Sequence, residues 1–183
     1  ALRRVFCRHM DADLFIHLGD GEEELDLLLT QFPDLSARTW HVKGNCDYDS
    51  MSLPVLTLGL EHSHRLVATH GHNYGVNSSL EHLKALARQN DADLALFGHT
   101  HVRCARYEDG LYLLNPGSVS CPRDGMPPSY GIVDVTEQGI LTNIVPVTPR
   151  PECILCGKGA PGAASDQTLC EITKNILELA LPL

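Results

Sequence analysis

Four short stretches put metal-type donors beside glycine: His17-Leu-Gly-Asp20, Gly44-Asn-Cys-Asp47, Thr69-His-Gly-His72 and Gly98-His-Thr-His101. A carboxylate, an amide oxygen and several imidazoles form a mixed oxygen and nitrogen set, which suits manganese, iron, zinc or nickel better than calcium or magnesium. Glycine beside each donor permits a sharp turn and a close backbone approach, so the side chain can be aimed outward from the end of the preceding segment. In the last stretch an apolar run stops at Gly98 and leaves His99 and His101 two residues apart. An extended chain continued through them would put both imidazoles on one side. Loop histidines held by hydrogen bonds explain an isolated pair equally well; four such stretches in one chain favour a metal.

Those donors need elements to carry them, and helix-like and strand-like periods alternate along the chain, as in an α/β fold. Leu25, Leu28, Leu29 and Phe32 share one helical face behind an acidic first turn of Glu22, Glu23 and Glu24. A second helix is expected from Ser78, with Glu81 completing a capping box and Leu80, Leu83 and Ala87 inward. Strands are expected at 13–18, 38–43, 54–60, 65–69, 93–97, 102–107, 111–114, 130–135 and 140–147, with Asp109-Gly110 as a tight hairpin. Residues 11–20 and 91–99 repeat one device, from a helix end through a short apolar strand to glycine and then Asp20 or His99. Open α/β sheets gather ligands at the carboxyl ends of their strands, where this device delivers both side chains; ordinary helix-to-strand grammar is the plainer account. Beyond Val147 the prolines at 146, 149 and 151 and the Gly/Ala-rich stretch 157–164 read as a linker. A terminal helix is expected to follow, with Leu169, Ile172, Ile176 and Leu177 on one face. The division is therefore a domain at 1–147 and a linker with tail at 148–183.

A chain of 183 residues with 43% hydrophobic and 20% charged residues suits one domain with a real core. The net charge of −9 and the lack of Lys/Arg clusters argue against bulk nucleic-acid binding, so phosphate handling would need a metal or a local pocket. No apolar run reaches the roughly 20 residues of a membrane helix, and no signal peptide opens the chain, which leads to the expectation of a cytoplasmic protein off the membrane. Seven scattered cysteines suit free thiols in a reducing compartment. Cys153 and Cys156 form a CxxC with Cys170 as the only further tail thiol, too few ligands for a zinc ribbon.

At these residues the chain resembles the calcineurin-like metallophosphoesterases, whose motifs run DxH, GD, GNH[D/E], a lone H and GHxH. It is more closely similar to their small prokaryotic phosphodiesterase branch, which the retromer scaffold subunit also resembles. Here the motifs read HLGD (17–20), GNCD (44–47), THGH (69–72), GHTH (98–101) and NPGSVS (115–120), in order, over about residues 1–147. The resemblance implies a four-layer α/β/β/α sandwich with a binuclear metal site at the strand ends. Asp20 would bridge two divalent transition ions, manganese first with zinc, nickel or iron as alternatives. Asn45, His70 and His99 would complete one ion, and His101 would belong to the other. Two such ions can bind a phosphate oxygen, generate hydroxide and neutralise an in-line transition state.

The catalytic side would then hold His72, Cys46 and Asp47. Cys46 stands where many relatives carry a histidine that assists the leaving group, so proton donation would be weak or would fall to His72. Ser118 and Arg123 are candidates to face the phosphate, with plain loop structure as their alternative. The family's DxH strand finds no match: Leu2, Val5, Phe6 and Met10 show a helical stripe already under way. Asp11 and Asp13 precede the Asp20 strand at its opposite end and do not substitute. On this reading the sandwich lacks its first strand, the second ion keeps only Asp20 and His101, and this chain is expected to be a weak phosphodiesterase acting on small phosphoesters. A metallophosphoesterase-fold scaffold is the alternative, and a homo-oligomer stays open. His9, His17, His41, His62, His64 and His82 are assigned structural or solvent roles.

Overall fold

The apolar runs pair into two sheets of five strands. The computed structural model describes residues 1–147 and, by its backbone, 169–173. In the first sheet the order is β2 (Thr39–His41), β1 (Leu14–His17), β10 (Leu169–Thr173), β8 (Ser129–Thr136) and β9 (Gly139–Pro146). In the second it is β3 (Val55–Gly59), β4 (Arg65–Thr69), β5 (Leu94–Phe97), β7 (Leu111–Asn115) and β6 (Cys104–Glu108). β1 and β2 run parallel, as do β4, β5 and β7, while β3 and β6 form antiparallel edges.

Side-chain alternation turns the two sheets into four layers. Ile16 and Leu18 meet Leu66, Ala68, Leu96 and Leu114 between the sheets, all of them fully buried. The opposite faces bury against helices. Phe15 stacks on Phe6 of α1 (Leu2–Arg8) with ring centroids 4.2 Å apart, and Leu25 and Leu28 of α2 (Glu22–Gln31) join them with Leu35 of α3 (Pro33–Ser36). On the far side Leu83 and Ala87 of α4 (Glu81–Gln89) pack on Val67, Ala95 and Phe97. Both faces of β1, β4 and β5 are thus covered, which is why these strands read as unbroken apolar runs. The expected α/β/β/α sandwich is present, and among the described residues no helix is long and apolar enough to cross a membrane.

Two local expectations are corrected. The capping box at Ser78 does not form: α4 starts at Glu81, and Ser79 Oγ accepts the Glu81 N–H at 3.2 Å. The Gly75 carbonyl takes the Ser78 and Ser79 N–H groups into a preceding turn, which displaces the helix start. Residues 169–173 form a strand where helical spacing was expected, antiparallel to β1 with Ile16 opposite Cys170 and parallel to β8 with Gly131 opposite Cys170. Two neighbouring strands offer this segment a full ladder on both sides, and satisfying those backbone groups outweighs local periodicity. In the first sheet β10 thereby takes the central position, between β1 and β8. The linker, the CxxC at 153–156, and Ile176 and Leu177 lie outside the described residues.

Candidate metal centre

Parallel strands deliver their carboxyl ends together, and four of them supply this site: β1 runs on to Asp20, β2 to Asn45 and Asp47, β4 to His70, and β5 to His99. His70 is fully buried at the centre. Its Nδ1 is 2.7 Å from the Leu18 carbonyl, so Nδ1 carries the proton that this oxygen accepts. That leaves Nε2 facing Asn45 Oδ1 at 3.0 Å, His99 Nδ1 at 3.2 Å and Asp20 Oδ2 at 3.4 Å. The His99 ring is 5.1 Å from His70 and the His72 ring 5.3 Å.

The backbone is bent to make this convergence. Asp20, His99 and His101 hold φ of 60°, 66° and 57°, a left-handed region that costs a non-glycine residue on the order of 1–3 kcal/mol. His99 and His101 therefore do not lie on one extended strand side, as their spacing suggested; the strand ends at Phe97 and each histidine is aimed by its own turn. Glycine permits the loops to approach. A Cβ on Gly44 would stand 2.1 Å from Asp20 Oδ1 and 2.3 Å from Asp20 N. Gly19 has φ of +88°, and its Cβ would stand 2.8 Å from His70 Nδ1.

Asp47 locks the same loops. Its Oδ2 accepts the Asp20 and Gly44 N–H groups at 2.9 and 2.8 Å, and its Oδ1 those of Gly21 and Glu22 at 2.9 and 3.2 Å. Burial alone would raise its pKa, but these four donors hold it below the ordinary carboxylate value. Both Asp47 oxygens are filled by backbone N–H groups, an arrangement that ties the two loops together and caps the start of α2. Asp20 is likewise opposed by burial and favoured by His70 and by the Cys46 N–H at 2.8 Å, which bring its carboxyl down to about 2. Burial, then the neighbouring histidines, lowers the pKa of His72 and of His99. At neutral pH the centre thus presents an ionised carboxylate at Asp20 and neutral imidazoles at His72 and His99.

Among the described residues no three or more His, Cys, Asp and Glu side chains already stand as a finished metal cage. The fit rests on donor chemistry. Two oxygen acceptors and an imidazole nitrogen crowd His70 Nε2, which is itself an acceptor once Nδ1–H donates to Leu18, and acceptors gathered this closely suit a cation between them. Ligand atoms about 2.1 Å from one cation lie about 3.0 Å apart at right angles and about 3.4 Å apart at tetrahedral angles. The separations from His70 Nε2 span that interval, so Asp20, Asn45, His70 and His99 fit a divalent transition ion.

The other expected residues spread around this centre. His101 is buried, its Nδ1–H donates to the Cys121 carbonyl at 2.9 Å, and its own carbonyl accepts the Arg123 N–H at 3.0 Å. Cys46 is exposed, and its Sγ accepts from Asn45 Nδ2 at 3.2 Å. His72 Nδ1 is buried without a hydrogen-bond partner among the described residues. Ser118 is fully buried, and its Oγ accepts the Ser120 and Cys121 N–H groups at 3.3 and 2.9 Å, tying the loop that supports His101. Arg123 is exposed on that loop.

Sequence reading missed two supports. Asn115 Nδ2 donates to Gly98 O at 2.9 Å and Thr100 Oγ1 at 3.0 Å, bracing the turn that carries His99; its place in NPGS was the available signal. Leu18 orients His70 through a carbonyl, which no side-chain pattern reveals. His17 is fully buried with neither ring nitrogen hydrogen-bonded among the described residues, and burial pushes it down to about 4. Beside the centre, a groove of about 900 Å³ opens from Asp20, Cys46 and Asp47 along α2 to the 48–51 loop.

A four-layer sandwich with an acceptor-rich centre at its strand ends defines a metallophosphoesterase-type protein. The calcineurin-like phosphoesterase superfamily domain matches residues 1–138, and the chain belongs to that family. It is 36% identical over 135 residues to the probable metallophosphoesterase YsnB of Bacillus subtilis, covering 72% of this chain and 75% of that protein. It is 42% identical over 101 residues to the phosphodiesterase YfcE of Escherichia coli K12, covering 51% of this chain and half of that protein's length. In fold it is similar to a conserved predicted phosphoesterase of Streptococcus pneumoniae TIGR4, with a TM-score of 0.62 and 24% identity, covering 91% of this chain and 87% of that one.

Proposed function

We propose that this chain is a divalent-metal-dependent phosphodiesterase. The observation that carries the reading is the convergence of Asp20, Asn45 and His99 on His70 Nε2 at 3.0–3.4 Å. Asp20, Asn45, His70 and His99 would hold one ion, and Asp20 with His101 would bear on a second. Manganese is the first ion to test. When bound, the metal supplies charge neutralisation for a phosphoryl group and activation of water.

The chain's own residues have distinct tasks. Asp47 holds the Asp20 and Asn45 loops in one position, and its occupation of the α2 N-terminus removes that site as a phosphate cradle. His72, beside His70, would stabilise the leaving oxygen by a hydrogen bond from its ring N–H, the proton that oxygen finally takes coming from solvent. Exposed Cys46 marks where the substrate enters from the groove. Support for diester over monoester chemistry comes from the relative named a phosphodiesterase, and from a groove large enough for a second ester group.

The test is elemental analysis after manganese or zinc reconstitution together with hydrolysis of bis(4-nitrophenyl) phosphate. Wild type should bind metal and turn over, while His70→Ala/His99→Ala should lose both. Equal metal content in the two proteins would refute the site. Metal binding without hydrolysis of any phosphoester would favour the scaffold role.

A further inference from the structure

The groove beside the candidate metal centre has walls of unusual composition. Leu27, Tyr48 and Met51 line it and are 61%, 84% and 96% exposed. Between them stand the exposed carboxylates of Glu23, Asp26 and Asp49. Among the described residues no lysine or arginine lines it. The nearby Lys43 points its ammonium at the Tyr48 and Ser50 carbonyls, at 3.3 and 3.1 Å, and so braces the loop that carries Tyr48. The carboxylates of Asp47 and Glu22, by contrast, are held by internal donors.

We propose that this groove receives the retained alcohol of the phosphodiester, and that it selects an alcohol ending in an ammonium group, best a quaternary one. This rests on the phosphodiesterase reading and names its substrate class. A quaternary ammonium is bulky and weakly hydrated, so its methyl groups cover apolar and aromatic surface while its charge is met by Tyr48 and the carboxylates. An alcohol bearing further phosphate brings anionic charge into a single-sign acidic wall and is repelled. Nucleotide and polyphosphate esters are therefore poor occupants, and a neutral apolar alcohol gains the contact area without the charge term. Continuity of the groove with Asp20 and Cys46 puts the phosphorus at the metal end and the ammonium group near Asp26 and Asp49.

Three 4-nitrophenyl phosphodiesters test this, their second alcohols being choline, its neutral isostere 3,3-dimethylbutanol, and an anionic glycolate. In each, a water oxygen bonds to phosphorus, 4-nitrophenolate departs with the electron pair of the broken ester bond, and the proton passes to solvent. With manganese-loaded enzyme at low ionic strength, kcat/KM for the choline ester should exceed that of the neutral isostere about fivefold, with the glycolate ester lowest. The ratio should fall towards one in Glu23→Gln/Asp26→Asn/Asp49→Asn, and also at high salt, where a Debye length of about 3 Å screens the wall. Turnover of the neutral ester with a choline-to-neutral ratio of one or less overturns the groove assignment and leaves the phosphodiesterase reading standing. If none of the three is hydrolysed, that reading fails, and NMR titration with phosphocholine against 3,3-dimethylbutyl phosphate decides the groove. Tighter phosphocholine binding that shifts the Tyr48 ring and is lost in the triple variant supports it; equal affinity overturns it.

Discussion

At the residue scale the centre depends on groups that bind nothing themselves. Asp47 fills four backbone donors from two loops, so Asp47→Ala leaves buried N–H groups unpaired and removes the cap of α2. A loss of about 2–4 kcal/mol is expected, read as a lower urea midpoint at pH 7. Metal affinity should fall with it, because Asp20 and Asn45 lose their common anchor; an unchanged midpoint with lost activity would restore a direct catalytic role. Gly44→Ala is expected to be worse for the site than for the fold. Its methyl would enter the space of Asp20 Oδ1, so metal content should drop at least tenfold while the far-UV spectrum stays native.

His17 makes a prediction of pH dependence. Its folded pKa, near 4, lies below the roughly 6.5 of an unfolded histidine, so the unfolded chain binds the extra proton first as pH falls. Stability from the neutral buried ring is present above about pH 6.5 and is lost between there and about 4. Between pH 7.5 and pH 5 this group alone accounts for about 2 kcal/mol. His17→Leu should flatten the pH dependence of the metal-free protein's urea midpoint over that interval; an unchanged slope would show that other groups carry it.

At the element scale, the surprise lies in β10. Helical spacing of Leu169 and Ile172 was a fair reading of an isolated segment, but a strand between β1 and β8 finds hydrogen-bonding edges on both sides. Proline at a paired position inside a sheet removes a ladder donor and clashes with its neighbour. Ile172→Pro is therefore expected to cost about 3 kcal/mol and to loosen β1 and β8 along with β10, where proline in a helix docked outside the sheet would break that helix and leave the sheet's own transition in place. Thermal unfolding of the full chain, with and without the substitution, checks it. β1 carries the loop to Asp20, so metal affinity should weaken in the same variant.

At the scale of the whole molecule, two sheets face each other with their strand ends aligned, and the donors of one sheet meet those of the other. Asp20 and Asn45 follow strands of the first sheet, His70 and His99 strands of the second. Much of this was legible in the amino-acid order. Short apolar runs bounded by turn residues read as strands, and glycine beside a carboxylate, an amide or an imidazole at four run ends marks the side chains that converge around His70. Local chemistry suffices there, since the period of two and the freedom of glycine are properties of the chain itself. What only the tertiary structure decided was where side chains face once distant segments meet. Asp47 became a clasp and Ser118 a loop tie because backbone N–H groups from other segments arrived within hydrogen-bond reach. His70 took its tautomer from the carbonyl of Leu18, 52 positions away in sequence. The segment 169–173 became a strand because two edges awaited it. Each of these is a long-range pairing of backbone polar groups, which every residue carries alike and no residue type announces.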